Sequence, residues 1–310
     1  MNLLIQKSNL LFLAILAFIF VGSSALAISG EIPAVSKELT KLAAKPSKNF
    51  PPLPVLGKNN SFPTISAQGV LAVDLDSGIP LYEKNADAPL LPASTTKIIT
   101  ALVALDKYQL DQVLTVGRGV SVDGQKMGLY IGETIKFEDL LYGLLVYSAN
   151  DAAETLAQDY PNGYDAFIAE MNQKAKDLSM TNSHFDNPVG LDGDGQRSTA
   201  RDLIRASEVA MRNSEFAKIV GTENVTVHDT TGRISYSLKN VNQLLGAVPG
   251  VMGVKTGWTE NARENLVTYV GRDNHKVMIA ILGSQDRFGE TKELIDWIFS
   301  NYNWTEVKLP

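Results

Sequence analysis

Three short strings carry the residue types that acyl transfer needs, and they occur in one order: Ser94-Thr95-Thr96-Lys97, Ser148-Ala149-Asn150 and Lys255-Thr256-Gly257. A serine hydroxyl is a weak nucleophile until a base removes its proton. Lys97 follows Ser94 by three residues, and residues so spaced on a helix share a face, so its amine can reach the hydroxyl. Lysine acts as a base only when neutral. Burial against Ile98 and Leu102, and a second cation for which Lys255 is the candidate, both favour the neutral form. Ser148 can pass a proton toward a leaving amine. The Asn150 amide can accept from Lys97 and donate to a substrate carbonyl. Lys255 and Thr256 offer a cation and a hydroxyl to a terminal carboxylate. Gly257 removes a side chain where a substrate backbone must come close, and a peptide could add to this strand as an extra edge. The set suits acyl transfer on a peptide that ends in a free carboxylate.

Each string also has a plainer reading. Ser94 could cap a helix with Lys97 exposed beside it, Ser148 or Asn150 could cap a helix at Asp151, and Lys255 could blunt an edge strand. A second S-x-N occurs at Ser47-Lys48-Asn49, in a low-complexity stretch, whereas S-x-x-K and K-T-G occur once each. The common order and the contexts of the three strings favour the chemical reading. Other catalytic arrangements fit less well. There is no G-x-S-x-G elbow, and His184 could join a triad only through distant pairings, so it reads as structural.

Positioning these groups takes a buried helix, a polar turn and a strand edge, and the hydrophobic pattern predicts all three. Gly69 to Asp74 alternates like a strand, Asp76-Ser77-Gly78 reads as a turn and Pro80 to Glu83 returns, which makes a hairpin. Pro92 precedes a helix from about Ser94 to Leu105, whose Ile98, Ile99, Ala101, Leu102 and Leu105 cover most of its surface, so it should be buried. Helices are predicted over 137–146, 151–158, 163–178 and 199–212. Strands follow over 225–228, 233–237, 253–256, 265–270 and 276–282, and an amphipathic helix over 291–299. The pattern predicts an α+β fold. The first hairpin and the last strands form one antiparallel sheet flanked by helices, the middle forms an all-helical lobe, and a cleft lies between.

Bulk properties narrow the function classes. The 310 residues are 45% hydrophobic and 20% charged, and the net charge of −6 argues against a broad basic face for nucleic acid. The absence of cysteine removes disulfides, thiolate catalysis and cysteine metal sites. Three scattered histidines give no ligand spacing, so neither a metal site nor a cofactor is expected. At the N-terminus, Lys7, the apolar run Leu10 to Val21 and Ala25-Leu26-Ala27 read as an export signal over 1–27, or as an uncleaved anchor. Residues 28–64 carry six prolines and read as a tether with little fixed structure. The catalytic domain then covers 65–310. The expected location is outside the cytoplasm, in the periplasm or the cell-wall space, with membrane contact only through the N-terminus if that segment is uncleaved.

Beyond the three strings, the chain resembles the low-molecular-mass penicillin-binding proteins of the D-alanyl-D-alanine carboxypeptidase type. The resemblance rests on VDLDSGIPLY (73–82), PASTTKIITALVAL (92–105), MTNSHFDNPVGLDGDGQRSTARDLIRAS (180–207) and PGVMGVKTGWTENA (249–262), and it spans about Ala67 to Trp304. It implies a β-lactamase/transpeptidase-like fold. It also implies Ser94 as acyl-enzyme nucleophile, Lys97 as proton acceptor, Ser148 and Asn150 as relay and substrate contact, and Lys255 as carboxylate partner. The backbone N–H groups of Ser94 and Trp258 would form the oxyanion hole. The implied reaction removes the terminal D-alanine of peptidoglycan stem peptides, with β-lactams as covalent inhibitors. The alternatives are a D,D-endopeptidase of the same family, or a non-catalytic wall-binding or β-lactam-sensing module. No omega-loop glutamate points to a β-lactamase. Two departures stand out. Arg263 follows Ala262 where the family usually has glycine, so it could alter the cleft rim or point to solvent. The chain also ends at Pro310, without the further β-rich domain and C-terminal anchor of many relatives.

Overall fold

In a computed structural model of the chain, residues 50–57 and 61–307 are described. The expected leader and most of the expected tether lie outside them. The first strand, β1 (Leu53–Leu56), falls within the stretch read as tether. It pairs antiparallel with Tyr302–Thr305 at the other end of the chain. No local pattern announces a partner that distant, and this part of the tether expectation is corrected.

The hairpin follows as β2 (Gly69–Asp74) and β3 (Pro80–Lys84). The nucleophile segment begins as a 3-10 turn, Ala93–Thr96, and continues as α1 (Lys97–Lys107). A short ribbon, β4 (Val113–Thr115) with β5 (Thr134–Lys136), leads into α2 (Phe137–Leu145), α3 (Asn150–Asp159) and α4 (Tyr164–Asp177). Next come α5 (Ala200–Arg212), α6 (Ser214–Val220) and a second ribbon, β6 (Asn224–His228) with β7 (Ser235–Lys239). The chain closes with β8 (Val251–Thr259), β9 (Arg263–Arg272), β10 (His275–Ser284), α7 (Arg287–Asn301) and β11 (Tyr302–Thr305).

The main sheet has the order β3-β2-β10-β9-β8 and is antiparallel throughout, so β8 is an edge. Its strands are nearly continuously apolar because both faces are covered. Successive side chains point to opposite faces. In β10, Val277, Ile279 and Ile281 join the core with Leu294, Ile295 and Ile298 of α7. Met278, Ala280 and Leu282 join the larger core shared with α1 and the helical lobe. Helix α1 runs through that larger core with Lys97 to Ala104 all buried, as its all-round apolar surface predicts. Side chains cap three helices: Thr199 accepts from Asp202 N, Asn213 from Glu215 N and Phe216 N, and Asp286 from Gly289 N.

Candidate active site

Ser94 lies in the 3-10 turn rather than in the α-helix. That geometry has three residues per turn, so positions i and i+3 eclipse, and Lys97 is brought directly over Ser94. Lys97 is fully buried. Its Nζ lies 2.8 Å from Ser94 Oγ and donates to Asn150 Oδ1 at 2.6 Å and to the Val189 carbonyl at 2.7 Å. The last two atoms can only accept. A neutral amine has two N–H groups, which those acceptors use, and its lone pair then faces the serine hydroxyl. Burial pulls Lys97 down to about 7, against the opposing charges of Asp151 and Glu154.

Ser148 stands between α2 and α3 with φ at 63°. This left-handed conformation costs an L-residue about 1–2 kcal/mol. It turns the hydroxyl away from α3, whose N-cap is Ala149 without a side-chain bond. The capping readings of Ser148 and Asn150 are therefore not realised. Instead Ser148 Oγ accepts from Lys255 Nζ at 2.8 Å, and the same amine donates to Thr256 O at 2.9 Å. Lys255 is 1% exposed, which rules out a strand-blunting role at the surface. Burial, then the positive charges of Lys97 and Arg287, hold it well below its usual range.

Gly257 is needed for a further reason, the packing of the nucleophile turn. A Cβ there would sit 2.9 Å from Ser94 N, 3.0 Å from Pro92 O and 3.0 Å from Thr95 N, so the backbone that comes close belongs to the nucleophile turn itself. The turn is also wedged from its other side. Gly190 has φ at 87°, and a Cβ on it would lie 1.9 Å from Ala93 O.

These groups line one cleft of about 630 Å³, with Ser94, Ser148, Asn150, Thr256, Gly257 and Trp258 on its walls and Lys97 and Lys255 just behind them. The far wall comes from the 187–191 loop, which the sequence showed as a resemblance but without a role. Asn187 Oδ1 accepts from Gly190 N and Leu191 N at 2.7 and 3.1 Å and so fixes the Val189 carbonyl toward Lys97. Beyond it, Asp192 accepts from Thr259 Oγ1 at 2.8 Å and Asn261 Nδ2 at 2.9 Å, a clasp between this loop and the β8–β9 hairpin. Arg263 closes that hairpin, exposed and with φ at 57°, and is not among the residues that line the cleft. His184 stays outside the cleft, with Nε2 3.2 Å from Asp186 Oδ1.

Sequence reasoning missed Arg287. It lines the cleft, donates from Nη1 to Gly257 O at 2.8 Å, and its Nε is buried without a hydrogen-bond partner among the described residues. The available signal was a cation in the first turn of a helix, where the dipole disfavours it. The groups together offer a serine beside an amine whose hold on its proton burial has weakened, a second buried amine bonded to a hydroxyl, and a guanidinium lining a cleft along the β8 edge.

The chain matches the family profile of D-alanyl-D-alanine carboxypeptidase over residues 57–286. It is 35% identical to a D-alanyl-D-alanine carboxypeptidase of Mycobacterium tuberculosis over 76% of this chain and 82% of that protein. It is 32% identical to one of Bacillus subtilis over 79% of this chain, spanning 65% of that protein's length. A D-alanyl-D-alanine endopeptidase of Pseudomonas aeruginosa is 31% identical over 76% of this chain and 77% of that protein. The crystal structure of a Streptomyces DD-transpeptidase superposes with a TM-score of 0.73 at 33% identity, covering 78% of this chain and all of that one. The profile runs through the nucleophile turn, the Val189 loop and the K-T-G strand alike, and by that match the chain belongs to the D-alanyl-D-alanine carboxypeptidase family.

Proposed function

We propose that the protein is a serine carboxypeptidase that removes the terminal D-alanine of peptidoglycan stem peptides outside the cytoplasm, and that β-lactams acylate the same serine. The observation that carries this reading is the buried Lys97 amine held between two obligate acceptors, with Ser94 Oγ in its third direction.

The substrate peptide lies along the edge of β8. Its terminal carboxylate meets Arg287, Thr256 and the Lys255 amine. Ser94 Oγ attacks the scissile carbonyl as Lys97 takes its proton, and the oxyanion forms against the N–H groups of Ser94 and Trp258. Asn150, held by Lys97 through Oδ1 and donating one amide N–H to Asp123 O, offers its second N–H to the acyl chain. The proton that Lys97 took passes on through the Ser148 hydroxyl, held by Lys255, to the departing amine, which leaves Lys97 neutral again. D-Alanine leaves, and water then hydrolyses the ester: Lys97 takes a proton from the attacking water and returns it to Ser94 Oγ as the ester breaks. A carboxylate entering the cleft also supplies the negative charge that Lys255 lacks. Binding should therefore raise its proton affinity. A pure binding module has no need of a base beside its serine, and that favours the enzyme.

The test is intact-protein mass spectrometry of the full chain after exposure to benzylpenicillin, beside D-alanine release from a peptide ending in D-Ala-D-Ala. One penicilloyl adduct that is absent from Ser94→Ala, together with D-alanine release, is the expected result. A folded protein that forms no adduct and releases no D-alanine would overturn the reading.

A further inference from the structure

We propose that Asp151 is a positioning residue for the serine–lysine pair: its carboxylate anchors the 127–129 loop segment, and through it the Asn150 amide that holds Lys97. Asp151 is 1% exposed and has no ion-pair partner among the described residues. Its charge is met by four backbone N–H groups. Oδ1 accepts from Met127 at 3.1 Å and Ala152 at 3.0 Å, and Oδ2 from Gly128 at 2.8 Å and Leu129 at 3.0 Å. Three of these donors lie on the loop that borders the cleft. The same loop holds Asn150: its Nδ2 donates to Asp123 O at 2.6 Å and its backbone N to Gln125 O at 2.7 Å. With the amide nitrogen committed to Asp123 O, Oδ1 is the atom left facing Lys97 Nζ. A rotated Asn150 would present an N–H to the amine and break the array.

An ionised carboxylate suits this place because only it offers two acceptor oxygens and no donor. An asparagine would turn its NH₂ toward two of the four N–H groups. The carboxylate also acts directly on the base. The charges that bear on Lys97 are Asp151 and Glu154 from α3, and, from β8, Lys255. Asp151 and Glu154 favour the ammonium, so losing either shifts Lys97 toward the neutral amine.

The inference rests on the acyl-serine reading, which the wild-type full chain tests by itself through adduct formation. The variants test the positioning. Asp151→Asn and Asp151→Glu are compared with wild type by the rate of benzylpenicillin acylation across pH, with thermal unfolding as the check on folding. For Asp151→Asn the acid limb should move to lower pH and the high-pH plateau should fall about tenfold, since small misplacements at a reacting centre are costly. Asp151→Glu keeps the charge but not the reach, so its acid limb should stay in place while its plateau falls. If Asp151→Asn fails to fold, Asp151→Glu carries the test, and an unchanged plateau there overturns the proposal. A plateau loss in Asp151→Asn with an unmoved acid limb would support the positioning through the loop and remove the direct effect of the charge on Lys97, whereas a folded Asp151→Asn protein with the wild-type plateau overturns the proposal. Failure of both variants to fold would assign the carboxylate to folding alone.

Discussion

Replacing Gly257 by alanine should impair acylation without unfolding the protein. The added methyl would lie 2.9 Å from Ser94 N and 3.0 Å from Thr95 N and Pro92 O, all backbone atoms that cannot swing aside. Ordinary carbon contacts begin near 3.4 Å. The edge strand must therefore retreat from the nucleophile turn by about 0.5 Å, which it can do because no further strand among the described residues pairs on its outer side. Oxyanion donors work at about 2.7–3.1 Å, and a retreat of that size takes the N–H of Trp258, the donor proposed above, out of range. Losing one such donor costs about 3–4 kcal/mol, or 10²–10³ in rate. Timed mass spectrometry of benzylpenicillin adducts gives the acylation rate, and the unfolding midpoint reports on the fold. A folded Gly257→Ala protein that acylates within about threefold of wild type would refute the claim that Gly257 sets the spacing between strand and turn.

Acylation should rise with pH through about 7, because Lys97 must lose its proton to act as base and burial has lowered that proton's affinity to this range; a rate flat from pH 5.5 to 8.5, roughly a unit and a half on each side, would count against Lys97 as base. Arg287→Ala should lower kcat/KM for a D-Ala-D-Ala peptide roughly ten- to a hundredfold, as expected for a hydrogen bond to a charged group. A peptide amidated at its C-terminus should show no comparable loss, and equal losses on both would remove Arg287 as carboxylate partner. Arg263→Gly should stabilise the fold by about 0.5–1 kcal/mol, since Arg263 holds φ at 57° in solvent and glycine escapes most of that cost. An unfolding midpoint that does not rise, or an altered acylation rate, would contradict the reading of Arg263 as a strained rim residue outside the cleft.

The parts of the fold that sequence revealed were those whose signal is local. The burial of α1 followed from Ile98, Ile99, Ala101 and Leu102 on all its sides, and the apolar runs of β9 and β10 marked both as strands. The seven residues of α6 and the three-residue strands β4 and β5 are too short for a period to show. At the site, Ser94, Lys97, Ser148, Asn150 and Lys255 were legible because side-chain chemistry identified them. The Val189 carbonyl was not, because any residue supplies a carbonyl and only the Asn187 turn aims it. Arg287 stood 30 residues beyond Gly257 in sequence, and only the fold joins them. Asp151 was read as no more than a helix start.

The pairing of β1 with β11 closes the domain into a topological ring. Leu53 stands opposite Thr305 and Leu56 opposite Tyr302, so the chain enters and leaves at the same end of one ribbon. Trp304 Nε1 donates to Asp74 and Tyr302 OH to Leu81 O, which places the ribbon by β2 and β3, across the sheet from the β8 edge. A pull applied to both ends at once would open this ribbon like a zipper, one rung at a time, and the remaining sheet would feel the load last. The same adjacency makes residues 50 and 307 natural points to splice. A circular permutant joined there and cut at a distant loop would keep the rungs of the sheet, with its new ends free of the strand edge where peptide is expected to dock.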